Sequence, residues 1–161
     1  MKTIFGALLL AAAAMPGAPA LAETASTSPL LGSWAVDVAR LPTPPAARPK
    51  SVTMTYADAG SGRLQATVVV VTPDGAEHRA ASTYVLDGTA VPVEGNLEAD
   101  TVAVRMPAPN VMVTALARGG QPGSRRTYTV SADGKTMTET VVYFTSEGVP
   151  AMRTNIFNRV R

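Results

Sequence analysis

The chain contains no cysteine and a single histidine, and only 16% of its residues are charged. Without cysteine there is no disulfide bond, no thiol to accept a lipid and no Cys-His catalytic pair. A Ser-His-Asp arrangement would have to be built around His78, and no serine and acid partners for it are signalled in the sequence. Haem would likewise depend on His78 as its axial ligand, without a supporting motif. The sequence therefore predicts neither an enzyme nor a cofactor.

Blocks of like charge are also missing, because the 14 basic and 12 acidic residues are scattered along the chain. Nucleic acids and anionic membranes are usually bound by clustered positive charge, so neither is expected as a partner. Arg125 and Arg126 form a basic pair, which a solvated strand edge explains.

The carboxylates do not form a recognisable site either. Glu94, Glu98 and Asp100 share one loop but lack the spacing of a calcium-binding loop, so we expect no metal. Other aspartates lie at or near turns, where hydrogen bonds from the side chain to the backbone are expected. These residues are Asp58, Asp74, Asp87 and Asp133.

The N-terminal residues have the pattern of an export signal. Lys2 precedes an apolar stretch from Ile4 to Ala14, and Ala20-Leu21-Ala22 has the small residues of a cleavage site. The stretch is shorter than the roughly 20 residues that cross a bilayer, so no stable membrane insertion is expected after cleavage. We predict a signal peptide (1–22), a flexible segment (23–31) and a β-barrel domain (32–161) in a periplasmic or secreted protein.

Most of the remaining sequence alternates short β-like runs with turn residues. Short turns between successive runs favour an antiparallel up-and-down meander, and closing about eight to nine strands into a barrel would remove exposed edges. A sandwich of two sheets is the alternative. The predicted strands are Gly32–Val38, Lys50–Ala57, Arg63–Thr72, Glu77–Leu86, Thr101–Pro107, Asn110–Ala117, Ser124–Val130, Thr136–Phe144 and Ala151–Val160.

Two longer connections interrupt this pattern, and both are candidate lids over a mouth of the barrel. Residues 40–49 contain four prolines, which rule out a sheet ladder and favour an extended arm. Residues 87–100 contain two glycines and a proline, with room for a short bridge at residues 91–93.

The turn at Pro73-Asp74-Gly75 sets the register of its hairpin. It fits a type I turn followed by a left-handed glycine, which pairs Thr72 with Ala76 and, farther along, Leu64 with Tyr84. The face that carries Leu64 and Tyr84 is the more apolar one, so we place it inside the barrel.

The next hairpin of interest has two possible registers. If Asp133-Gly134 is a two-residue turn, Tyr128 pairs with Glu139 and Arg126 lies diagonal to Glu139; a three-residue loop would separate them. An inward Glu139 would need a partner, and Arg126 is the nearest. The inner face of this strand could instead be formed by Thr138, Thr140, Val142 and Phe144.

The two ends of the predicted barrel domain carry a family signature. Gly32-Ser33-Trp34, with Arg159 near the last residue, resembles the G-x-W element and terminal arginine of lipocalin-like barrels. The resemblance implies that Trp34 closes one end of the barrel and that Arg159 packs across its ring. Arg161 is the alternative partner, and a core tryptophan of another β fold is the competing interpretation.

The turn signatures of the chain are also similar to those of small exported bacterial proteins. They describe hairpins, so this resemblance supports the fold and implies no catalytic residue. The proline-rich stretch after Arg40 departs from the similar proteins, which are more polar there. The matching pieces are Tyr84–Gly88, Pro92–Gly95, Ala99–Val102 and Ser131–Thr138.

A barrel of this size is either filled by side chains or encloses one small molecule. Small residues of the predicted inner face leave space, namely Ala66, Ala80, Ser82, Ala115 and Ala117. We therefore predict non-covalent binding of a small, largely apolar molecule, with tyrosine hydroxyls and the Arg126–Glu139 pair as polar anchors. The predicted ligand-binding residues are Tyr56, Tyr84, Met106, Arg126, Tyr128, Glu139 and Tyr143. The alternative function is a module that binds or inhibits an envelope protein through residues 40–49 and 87–100.

Overall fold

A computed structural model describes residues 27–160, which form a single antiparallel sheet rolled into a nearly closed barrel. Within these residues there are ten strands, so the expected number of about eight to nine was too low. The predicted signal peptide, the start of the predicted flexible segment and Arg161 lie outside the described residues. The strands are β1 Gly32–Val36, β2 Ser51–Asp58, β3 Arg63–Val71, β4 Glu77–Val85, β5 Asp87–Pro92, β6 Thr101–Ala108, β7 Val111–Arg118, β8 Gln121–Val130, β9 Thr136–Phe144 and β10 Pro150–Arg159.

The barrel is closed on one side by pairing of its first and last strands, and it stays partly open between β4 and β5. The order of strands is β4-β3-β2-β1-β10-β9-β8-β7-β6-β5, so the first strand pairs with the last. β4 and β5 are the two edges, and in the described part of the chain one β-bridge joins this seam, from Ala81 to Glu94. The Ser82 hydroxyl also donates to Pro92 O across the seam at 2.9 Å. A single rolled sheet excludes the sandwich alternative.

Strand β5 is the element that the sequence pattern missed. It follows β4 after a single residue, Leu86, and its pairing with β6 shifts between Asp87 and Ala90. Gly88 adopts a positive φ of 89° within this irregular stretch. Because glycine, proline and a bulge interrupt the alternation, the segment has the composition of a loop although it pairs as a strand.

The hairpin of β3 and β4 has the predicted register. Leu64 pairs with Tyr84, and Gly75 adopts the left-handed conformation at φ 98°. Thr72 N donates to Ala76 O at 2.9 Å, which closes the turn. The apolar face of this hairpin faces inward, as expected, since Leu64 and Tyr84 are buried.

The hairpin of β8 and β9 adopts the register of the two-residue turn. Tyr128 pairs with Glu139, and Arg126 pairs with Val141. The connection itself is longer than two residues, because Gly134 N closes a turn onto Ser131 O and Ser131 N donates to Thr136 O. The register therefore brings Arg126 and Glu139 together, while the loop has neither of the two lengths considered from the sequence.

The hairpin of β7 and β8 extends farther than the sequence indicated. Arg118 pairs with Gln121 around Gly119-Gly120, and both glycines have positive φ, as a type I′ turn requires. A register shift beyond Ala115 accommodates Pro122, which cannot donate to a regular ladder.

The turn aspartates accept backbone hydrogen bonds as expected. The amides of Gly60, Thr89 and Lys135 lie 2.8, 2.8 and 3.0 Å from the carboxylates two residues earlier in the chain, and Ala76 N lies 3.3 Å from Asp74. Hydrogen bonds from the Thr72 and Ser131 hydroxyls lower the pKa of Asp74 and Asp133, respectively. These carboxylates are explained by turn structure.

The predicted extended arm is instead compact. Two short 3-10 turns occupy Val38–Arg40 and Pro45–Ala47. The Arg48 side chain donates to Thr43 O at 2.8 Å and to Ala39 O at 2.9 Å, which folds the segment onto itself. Proline fits the first position of a helical turn because its missing amide hydrogen needs no partner there.

One end of the barrel is closed by the segment that precedes β1. Leu30 and Trp34 are fully buried, and the Trp34 indole donates to Leu30 O at 2.8 Å. Ser28 is also buried and donates to Pro109 O at 2.9 Å. Within the predicted flexible segment (23–31), residues 28–31 are thus held at the barrel end by a buried apolar side chain and two hydrogen bonds.

Arg159 completes this closed end, as the resemblance implied. Its guanidinium lies over the Trp34 ring at 4.0 Å from the centroid. It donates to the carbonyls of Gly134, Leu31 and Pro29.

Among the described residues, no helix has the length and hydropathy needed to cross a membrane.

Candidate functional site

The barrel interior is packed at the closed end and hollow toward the other end. Leu64, Met112, Met137 and Val130 fill the closed half together with Trp34, and each is at most 1% exposed. Beyond them lies a cavity of about 380 Å³. This volume is within the range of small-molecule sites, which is roughly 300–1,000 Å³.

One wall of the cavity is apolar and comes from three neighbouring strands. β2, β3 and β4 contribute small and branched side chains, whose alternation along each strand directs them inward. Ala66, Ala80 and Ser82 leave the space that a larger residue would fill, as the sequence predicted. The wall residues are Val52, Met54, Ala66, Val68, Val70, Ala80 and Ser82.

The opposite wall is polar and is centred on Glu139. This carboxylate is only 2% exposed, and three side chains donate to it. Tyr128 Oη lies 2.8 Å and Arg126 Nη1 3.1 Å from Oε1, while Asn155 Nδ2 lies 2.6 Å from Oε2. A buried carboxylate is tolerated when it is paired and hydrogen-bonded in this way. The pairing that the sequence proposed between Arg126 and Glu139 is thus present.

Arg126 links this buried network to the loop between β5 and β6. Its second terminal nitrogen, Nη2, pairs with the Glu98 carboxylate, and its Nε lies 3.3 Å from the Ser124 hydroxyl. Burial disfavours the charged guanidinium, but the neighbouring Tyr128, Glu139 and Glu98 outweigh it and hold the Arg126 pKa above its usual value. Arg126 is therefore a cation near neutral pH, beside the buried Glu139 carboxylate.

Three tyrosines line the inner end of the cavity. Tyr56, Tyr84 and Tyr128 are each at most 4% exposed, and the rings of Tyr56 and Tyr128 meet edge-on with centroids 6.4 Å apart. Burial raises the pKa of all three phenols above their usual values. Their hydroxyls are protonated near neutral pH and act as neutral hydrogen-bonding groups.

Two of the predicted ligand-binding residues do not line the main cavity. Met106 packs partly buried against the hydrophobic core. Tyr143 borders a smaller hollow of about 160 Å³ that also contacts Arg126 and Arg153, and Arg153 lies 5.7 Å from its ring centroid. The other five, Tyr56, Tyr84, Arg126, Tyr128 and Glu139, all line the main cavity.

The inward assignment of Ala115 was wrong, whereas Ala117 is half-buried but does not line the main cavity. On β7 the buried face carries Met112 and Thr114, and Ala115 is exposed on the outer face. Apolar residues occupy both faces of this strand, so composition could not decide between them.

Sequence reasoning missed Asn155, which lies beside Glu139 on β10. It is 8% exposed and lines the cavity, but a single asparagine in a strand gives no local signal. The pairing of Asn155 with Glu139 across β9 and β10 would have revealed it, had the register of that pair been known. Thr114 and Arg153 also line the cavity without having been predicted.

Both long connections border the mouth of the cavity, as their lid assignment predicted. The first contributes Leu41, Pro42, Thr43 and Pro49, and the second contributes residues 95–98. His78 lies at the same end and is half-buried. The Asp100 carboxylate of the second connection accepts from Gly119 N at 2.7 Å, which anchors the base of that loop.

Fold and site together define a class: an antiparallel, nearly closed β-barrel with one plugged end and an internal cavity reached from the other. No protein-family model and no curated protein matches the chain. A solved structure described as EF1p2_mFAP2b bound to DFHBI has a TM-score of 0.45 and 7% sequence identity, covering 84% of this chain and 98% of that chain. A likeness at this level says nothing about what the present chain binds.

Proposed function

We propose that this protein is an exported, lipocalin-like barrel that binds a small, largely apolar molecule non-covalently. The cavity of about 380 Å³ is the observation that carries the proposal. Its apolar wall provides burial, and its polar wall provides a few fixed hydrogen-bonding groups, which is the usual composition of a small-molecule site. No reaction is proposed.

The closed end supports the lipocalin-like assignment. Trp34 under the Arg159 guanidinium, at 4.0 Å from the ring centroid, reproduces the contact that the G-x-W resemblance implied. Export to the periplasm or medium rests on the N-terminal sequence pattern, and cell fractionation with N-terminal sequencing of the mature protein would test it.

Titration with the neutral fluorescent dye N-phenyl-1-naphthylamine tests ligand binding. The dye should bind with saturable fluorescence enhancement. Ala80→Phe places a ring in the cavity and should weaken binding by at least about tenfold, which corresponds to about 1.4 kcal/mol. Because the ring enters empty space, the variant should not lose stability, whereas overpacking a filled core costs about 1–3 kcal/mol.

A matched control is available on an outward position. Ala57 is exposed on β2, so Ala57→Phe adds the same ring outside the barrel and should leave dye affinity unchanged. Equal effects of the two substitutions, or no saturable binding to the unmodified protein, would contradict the proposal.

A further inference from the structure

Asn155 has an unsatisfied hydrogen-bond acceptor at the cavity. The side chain is buried, with a relative exposure of 8%, and its Oδ1 has no hydrogen-bond partner within the described structure. Its Nδ2 donates to Glu139 Oε2 at 2.6 Å. A carboxylate cannot donate in return, so this contact fixes the amide with its oxygen as the free acceptor.

In the described part of the chain, the two donors that share Glu139 with Asn155 are directed away from its Oδ1. Tyr128 and Arg126 Nη1 are both directed at Glu139 Oε1, and Arg126 Nη2 is engaged by Glu98. Buried polar atoms are rarely left without a partner, so the unmet oxygen marks the place for a donor that the protein does not provide.

The charges that line the cavity balance. Two carboxylates, Glu98 and Glu139, face two guanidiniums, Arg126 and Arg153. An anionic ligand would meet the buried Glu139, and a cationic one would meet Arg126 next to it. A neutral molecule avoids both penalties.

We infer that the ligand is an uncharged, mainly apolar molecule that carries an O–H or N–H group and donates it to Asn155 Oδ1. Its apolar body lies against the wall formed by β2, β3 and β4. This inference rests on the proposed function and specifies the chemical class of molecule that the same cavity takes.

Competition against bound N-phenyl-1-naphthylamine with a matched set of probes tests the inference. The probes are naphthalene, 2-naphthol, 2-methoxynaphthalene and 2-naphthoate at neutral pH. A purely apolar pocket would bind 2-naphthol more weakly than naphthalene, because the hydroxyl makes the probe more soluble in water. We expect the reverse, with 2-naphthol binding about tenfold more tightly than naphthalene, 2-methoxynaphthalene and 2-naphthoate.

Variants locate the preference. Asn155→Leu should abolish the advantage of 2-naphthol over 2-methoxynaphthalene while naphthalene still binds. Asn158 is exposed on the same strand, so Asn158→Leu should preserve the advantage. If Asn155→Leu does not fold, the ranking in the unmodified protein decides by itself.

The outcomes separate the two proposals. If no probe displaces the dye and the dye itself does not bind, the proposed function fails. If all probes bind without preference for 2-naphthol, or 2-naphthoate binds as tightly as 2-naphthol, the cavity binds ligands but the inferred class is wrong. Retention of the hydroxyl preference in Asn155→Leu would also overturn the assignment of the acceptor.

Discussion

Glu139 shows how one buried charge depends on its neighbours. The carboxylate is 2% exposed and receives hydrogen bonds from Tyr128, Arg126 and Asn155. Removal of the cation leaves a buried anion with neutral donors alone. Removal of both charges leaves an apolar site, which is often neutral for stability.

Arg126→Met should therefore lower the free energy of unfolding by about 3 kcal/mol. This is the lower end of the usual cost of breaking a buried ion pair, because Tyr128 and Asn155 still donate to Glu139. The double variant Arg126→Met with Glu139→Met should recover most of this loss. Urea denaturation of the unmodified protein, the two single variants Arg126→Met and Glu139→Met, and the double variant checks the prediction. A double variant that loses the sum of both single effects would show that the pair is not coupled.

Arg159 offers a second test at the scale of one residue. Lysine keeps the positive charge but cannot donate to three separate carbonyls with a planar group. Arg159→Lys should cost about 1–2 kcal/mol of stability, through weaker hydrogen bonding and a lost stacking contact with Trp34. Thermal denaturation gives the measurement.

Arg153→Lys on the same strand is the matched control. Arg153 also lies over an aromatic ring, that of Tyr143, but it is exposed. This change should alter stability by no more than about 0.5 kcal/mol. Equal losses from both variants would mean that Arg159 does not close the barrel end.

At the scale of elements, the seam between β4 and β5 is the weakest part of the barrel wall. The Ala81–Glu94 bridge is followed by Gly95 at a positive φ of 68°. A Cβ added at Gly95 would lie 2.1 Å from Arg79 O on the facing strand. Close approach of the two backbones therefore requires glycine here.

Gly95→Ala should destabilise the protein by at least about 3 kcal/mol, the sum of a left-handed alanine and a backbone clash. Gly148 also has a positive φ, 77°, but a Cβ there meets nothing within 4 Å. Gly148→Ala should cost about 1–2 kcal/mol. Hydrogen exchange should show faster opening of Ala81 and Glu94 amides in Gly95→Ala, and similar losses in both variants would contradict a seam held at Gly95.

The sequence predicted elements well where alternation and turn chemistry agreed. All nine predicted strands have counterparts, and the Pro73-Asp74-Gly75 turn gave the correct register because proline and glycine each require a specific conformation. β5 was missed because glycine, proline and a bulge disrupt its alternation. The 40–49 segment was misjudged because proline suits 3-10 turns as well as extended chain.

The candidate site could be predicted in part for a related reason. Tyr128, Arg126 and Glu139 lie on one hairpin, so a local turn was enough to bring them together. Asn155 and the loop residue Glu98 reach the same network through long-range pairings, which no local pattern encodes. Met106 packs against the hydrophobic core and does not line the main cavity, so it was wrongly expected at the ligand.

For the whole molecule, the three buried tyrosines predict the alkaline limit of stability. Burial raises the pKa of Tyr56, Tyr84 and Tyr128, so the unfolded chain releases these protons at lower pH than the folded chain. Their contribution is complete below about pH 10 and decreases above it. Between the ordinary phenol pKa and the raised pKa of the folded state, the free energy of unfolding should fall by about 1.4 kcal/mol per pH unit for each buried tyrosine.

Chemical denaturation at a series of alkaline pH values measures this slope. Tyr84→Phe removes one titrating group whose hydroxyl makes a single hydrogen bond among the described residues, to Met112 Sδ at 3.9 Å. It should reduce the slope by the share of one tyrosine. The ordinary phenol pKa is about 10. If the free energy of unfolding stayed constant over the roughly two pH units above this value, these phenols would not be buried.

The proposed function depends on the cavity in the half of the barrel opposite the closed end at Trp34. NMR of the protein with N-phenyl-1-naphthylamine tests it most directly, because β3 carries valines on both faces. Val68 and Val70 line the cavity, while Val69 alternates to the outside. Intermolecular nuclear Overhauser effects should connect the dye to the methyl groups of Val68 and Val70 and not to Val69. Effects confined to outward methyl groups, or none at all with the dye in excess, would contradict an internal binding site.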